Sequence, residues 1–204
     1  DSNSEGQKLD TDIVLYGKKI YATSLVHFFA SQSLTLVLSI MLPPKEIGIF
    51  SILLTITGVS LFLIKNLNKV FAPAISKLYS ENKIHELGKI FKTTTFIINL
   101  IAIPFVILII YFAKELLVLY DSSGHILSYL PYLYILMIAR VTSLLCGSSG
   151  TLMIMAGLEK KELLIQTIKA TLITLLAILF TKEYGLLAIV ILFTVFALFE
   201  NISQ

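Results

Sequence analysis

Six apolar blocks, most close to twenty residues long, divide this chain of 204 residues. About twenty consecutive apolar residues in a helix cross the ~30 Å hydrocarbon core of a bilayer. The blocks fall near 20–42, 47–72, 93–112, 129–155, 163–181 and 185–203. The chain is 56% hydrophobic and only 14% charged, against about a quarter charged in soluble domains. An all-α membrane protein with six transmembrane helices is therefore expected. Backbone polar groups in lipid must be satisfied within each segment, which leaves few other folds.

Charge sets the expected orientation. Lys8, Lys18, Lys19, Lys77, Lys83, Lys89, Lys92, Lys160 and Lys161 fall on one side of the six spans, and Lys45, Lys114 and Lys182 on the other. The lysine-rich side is the cytoplasmic one, so both ends of the segment are expected in the cytoplasm. Residues 77–92 carry Ile84, Leu87, Ile90 and Phe91 at helical spacing among lysines. They read as an amphipathic segment on the cytoplasmic surface; a plain solvated connector is the alternative. The chain starts without Met and stops directly after an apolar run, so it reads as an excerpt of a longer protein.

The residues that carry chemistry are cations. Lys65, Lys69, Arg140 and Lys169 lie in or near the spans, and no carboxylate lies inside a span except Glu200 near one end. A charge at the bilayer centre costs roughly 2.5–3.5 kcal/mol and usually marks a pathway or wet cavity. Unneutralised cations there would attract an anion, and an Arg fork suits phosphate or carboxylate. Asn68 shares the face of Lys65 and Lys69, and Pro73 follows, suggesting irregular backbone beside a cavity. Snorkelling to the headgroups is the alternative for Lys65 and Lys69 and the favoured reading for Lys169. Arg140 shares a face with Ser143, Gly147 and Thr151, and Gly147 and Gly150 bound a small-residue patch where a helix can break. Tying down freed carbonyls near Pro131 is the alternative for Arg140.

The first block carries Ser24, His27, Ser31 and Thr35 on one helix face, either for helix packing or to line a cavity. Pro104 reads as a bend or hinge in the third block. No phosphate-binding loop, dinucleotide fingerprint or zinc motif is present, so no cofactor and no metal site is expected. A net charge of +3 without a basic, aromatic-interleaved stripe gives no reason to expect nucleic acid as a partner. The scarcity of acids in the spans argues against an enzyme.

Several segments in order carry a resemblance: EIGIFS at 46–51, VFAPAISKLY at 70–79, Ile103-Pro104, FAKELLVLY at 112–120, the stretch 147–157, EYGL at 183–186 and FENIS at 199–203. Together they resemble the C-terminal half of the polysaccharide export family. These are flippases of O-antigen and other lipid-linked oligosaccharides, in the superfamily that includes multidrug exporters. The resemblance implies one six-helix lobe of a two-lobe exporter fold, with 1–19 as a cytoplasmic inter-lobe connector and 20–204 as the transmembrane lobe. It implies a cell-membrane transporter of a polyprenyl-pyrophosphate-linked glycan, partnered by membrane lipid and by an N-terminal lobe of the same protein. Lys65, Lys69, Arg140, Asn68, His27 and Ser31 would then face an anionic headgroup. Pro73, Pro104, Gly147 and Gly150 would shape the helices. A cation-coupled drug exporter of the same superfamily and a membrane-embedded glycan-processing enzyme are the rival readings.

Overall fold

The structure, a computed structural model, describes residues 21, 25, 28, 32, 34–121, 124–147 and 149–203. Among them the chain is helical, with no strand. Residues 34–41 are helical (α1). There follow α2 (Pro44–Ser80), α3 (Ile84–Tyr111), α4 (Ala113–Tyr120), a 3-10 turn (His125–Tyr129), α5 (Leu130–Cys146), α6 (Ser149–Met155), α7 (Glu159–Tyr184) and α8 (Leu186–Ser203). Five helical stretches are long and apolar enough to span a membrane: α2, α3, the turn with α5, α7 and α8. The connector 1–19 lies wholly outside the described residues, as do ten of the 23 residues of the predicted first span.

The segment 77–92, expected to be an amphipathic segment, comprises the end of α2, a tight turn and the start of α3. Asn82 supplies the turn with φ 58°. The Lys83 N–H donates to the Leu78 carbonyl at 2.9 Å and the Asn82 N–H to the Tyr79 carbonyl at 3.0 Å. These two bonds close a Schellman cap. At 1.5 Å per residue, the 37 residues of α2 reach about 55 Å, well beyond a ~30 Å core.

Helix α2 continues through Pro73 and α3 through Pro104, while Gly150 sits inside α6. The predicted span 129–155 does break, at Gly147, with φ 71° and ψ −140°. Glycine reaches that region freely and other residues do not.

Packing follows helical periodicity. On α3, Thr94, Ile98, Ala102, Val106 and Ile109 are buried, one face at spacings of three and four. Phe96, Leu100 and Ile107 on the other faces stay exposed, the pattern of a helix that meets lipid. Helix α5 is central, packed against α2, α3 and α8, and α7 packs against α8 and α6. Leu133, Leu136, Met137 and Leu144 of α5 meet Ile189 and Val190 of α8 in the core.

Candidate functional site: a charged cavity inside the bundle

Helices α2, α5, α7 and α8 enclose a cavity of about 430 Å³, with Leu34 of α1 at its edge. Its charged lining comes from four residues on four helices: Lys65, Arg140, Lys169 and Glu200. The burial of apolar faces elsewhere sets these positions. Arg140 follows the buried Leu136, Met137 and Ala139, and Glu200 lies one turn beyond the buried Phe196. Ser143 and Gly147, on the same face of α5 as Arg140, line the cavity too.

Arg140 is held by an aromatic contact. Its guanidinium carbon lies 5.2 Å from the centroid of the Phe193 ring, within the range of a cation–π interaction. Phe193 in turn meets Phe50 edge-to-face at 6.3 Å. Arg140 Nε is buried with no hydrogen-bond partner, and Arg140 has no ion pair among the described residues. A buried guanidinium N–H without an acceptor is costly, and an anion in the cavity would supply one.

The acid side departs from expectation. Lys169 was read among cations with no acid in the spans to neutralise them. It pairs directly with Glu200, with both side chains about a quarter exposed. The Gln166 amide donates to the other oxygen of Glu200 and to Glu162 Oε1, the latter at 3.0 Å. Glu162 itself is buried. The hairpin explains the meeting. Lys169 lies sixteen residues before Gly185 and Glu200 fifteen after it, so antiparallel helices turning at Gly185 set them opposite each other. That count was available in the sequence. Asn201, also unremarked there, donates to Ser143 Oγ at 3.0 Å and ties α8 to α5.

The other sequence candidates divide. Gly147 and Lys65 join Arg140 at the cavity. Asn68 does not: its amide donates to Thr151 Oγ1 at 3.0 Å across α2 and α6. Lys69 is exposed and is not among the cavity residues. Ser24, His27 and Ser31 lie outside the described residues. Pro73 and Pro104 lie within continuous, exposed helix away from the cavity. Among the described residues no cluster of three His, Cys, Asp or Glu is placed to hold a metal.

A second polar cluster braces the helix break. The Asn99 amide donates to the carbonyls of Thr95 at 2.8 Å and Leu144 at 3.0 Å. The same Leu144 carbonyl accepts from the Gly147 N–H at 3.1 Å where α5 ends. A Cβ at Gly147 would lie 2.9 Å from Thr95 Cγ2, so α3 and the break fit only with glycine there.

The fold and the cavity define a multi-pass helical membrane protein with a polar chamber inside its bundle. The chain belongs to the family described as polysaccharide biosynthesis protein, whose model matches residues 7–123. No curated protein and no solved structure matches the chain.

Proposed function

We propose that this chain is the transporting lobe of a flippase. It moves a polyprenyl-pyrophosphate-linked oligosaccharide or polysaccharide repeat unit across the cell membrane by alternating access. It works with a second, N-terminal lobe, and both ends of the segment are cytoplasmic. The observation that carries the reading is the cavity, in which Lys65 and the unpaired Arg140 converge beside the Lys169–Glu200 pair. Three cations against one carboxylate leave the lining positive, and such a wall attracts a diphosphate. Family membership supports the glycan-pathway context. The protein acts on its substrate by binding and movement, not by bond chemistry.

A cation-coupled exporter is the second reading, and Glu162 and Glu200 favour it. Both accept from the Gln166 amide, and acids of membrane helices often serve ion coupling. One assay separates the two. In proteoliposomes of the full-length protein, a fluorescent polyprenyl-pyrophosphate oligosaccharide should cross leaflets faster than in protein-free vesicles. Transport of a cationic dye with no movement of that lipid would favour the exporter.

A further inference from the structure

Glu200 has a role that the cation count alone does not assign. It shares the cavity with three cations and is ion-paired with Lys169. Its position is rigid. The neighbouring Asn201 is anchored to Ser143 on α5, and Gln166, one helical turn from Lys169 on α7, donates to the second Glu200 oxygen. Residues three apart on a helix share a face, so Gln166 and Lys169 grip one carboxylate from one side. The pair is not sealed. Lys169 and Glu200 keep 24% and 23% side-chain exposure and line the chamber, so a bound anion can reach the ammonium.

We propose that Glu200 is a resident counter-anion of the cavity. It holds Lys169 while the chamber is empty, an incoming diphosphate-type headgroup must take the ammonium from it, and Glu200 reclaims the ammonium as the headgroup leaves. The proposal rests on the anion-cavity reading above and adds the residue that sets affinity and release. A transporter needs such a limit, because a site of three unopposed cations would bind a diphosphate and keep it; transport demands binding weak enough to let go. Arg140 and Lys65, free of ion pairs among the described residues, form the first contact, and Lys169 is contested.

The test measures binding of inorganic pyrophosphate to the detergent-solubilised full-length protein by titration calorimetry. Glu200→Gln keeps the size and one acceptor oxygen but removes the charge. It should tighten binding by about tenfold, the scale of one close charge pair at a partly buried site. Glu200→Asp, one methylene shorter, should tighten it by a smaller factor and serves if the Gln variant does not accumulate. Lys169→Met should weaken binding, and in its presence Glu200→Gln should no longer tighten it, a non-additivity that marks direct competition. Unchanged or weaker binding in both Glu200 variants, with a lowered melting temperature, would mean that the pair only fastens α7 to α8 and would overturn the proposal. Arg140→Ala separates the two layers. Binding that depends on Arg140 but ignores Glu200 sinks this inference alone, whereas a wild-type protein that binds no pyrophosphate sinks the anion-cavity reading and this inference with it.

Discussion

The α3–α5 crossing and the cavity both place polar side chains between apolar helices, but their groups have different work. At the crossing the groups are neutral, and the Asn99 amide answers backbone carbonyls at 2.8 and 3.0 Å. Its partners are fixed parts of the fold, although Asn99 Oδ1 and Thr95 Oγ1 are themselves buried without a hydrogen-bond partner among the described residues. At the cavity the groups are charged, come from four helices and surround open volume. One of them, Arg140, stays without an ion pair. Polar groups that meet backbone hold a shape, and charges that face a void hold a place for something else. Interhelical hydrogen bonds in lipid contribute only ~0.6 kcal/mol on average, whereas a membrane charge costs several times that. The second arrangement is therefore hard to explain by packing alone.

The difference can be broken most severely at Gly147, where the two regions touch. Gly147→Ala places a Cβ against Thr95 and forces a non-glycine residue to φ 71°. It should cost on the order of 3 kcal/mol, read as lost abundance and a lowered melting temperature of the purified protein. Thr95→Ala in the same chain should relieve the overlap but not the backbone strain, so rescue should be partial. Full stability of Gly147→Ala would show that the break is not a glycine requirement.

Asn99→Leu probes the crossing alone. It removes two amide donations and should lower stability by roughly 1 kcal/mol, while anion binding by the cavity changes less than twofold. A large loss of binding with no loss of stability would erase the proposed division of labour. Asn68→Ala should be milder still, near 0.6 kcal/mol, because one bond to Thr151 is lost. Lys69→Ala should leave anion binding unaltered, in contrast to Lys65→Ala, which should weaken it.

The smallest effect belongs to the turn between α2 and α3. Lys83 lies 2.8 Å from Glu81. Its hydrogen bond and charge hold the Glu81 carboxyl below its usual range, and Glu81 raises the Lys83 ammonium in return. A carboxyl lowered in the folded state stabilises above its ordinary range, and that contribution fades as pH falls through the folded value. The raised lysine contributes below its ordinary range and loses that contribution as pH rises through its folded value. Both groups are solvent-exposed, so screening leaves little. Glu81→Gln should shift the melting temperature less than Asn68→Ala at pH 7, and the shift should vanish in acid.

Much of this was legible in the sequence. Apolar block length located the long helices because lipid leaves the backbone few alternatives. The small-residue patch at 147–150 flagged the break, and Arg140 stood out because a lone charge in a long apolar run has few structural uses. What was missed involves distance along the chain. Asn68 looked like a cavity residue because it shares a face with Lys65, and only the arrival of Thr151 from α6 shows that its amide is already engaged. Glu200 looked terminal, and only the α7–α8 hairpin brings it to Lys169. Pro73 suggested irregular backbone and Pro104 a bend or hinge, and both lie inside long helices. Periodicity fixes the face of one helix; it does not say which helix arrives to meet it.

The central claim is that the charged lining exists to hold an anionic headgroup, and Arg140 is its most direct test. Glycan export should be measured in cells that carry the full-length protein as wild type, Arg140→Ala or Arg140→Lys, with membrane abundance matched. The account predicts export near background for Ala and partial export for Lys, which keeps the charge but loses the guanidinium fork. Wild-type export by Arg140→Ala, with Lys65 also neutralised, would contradict it.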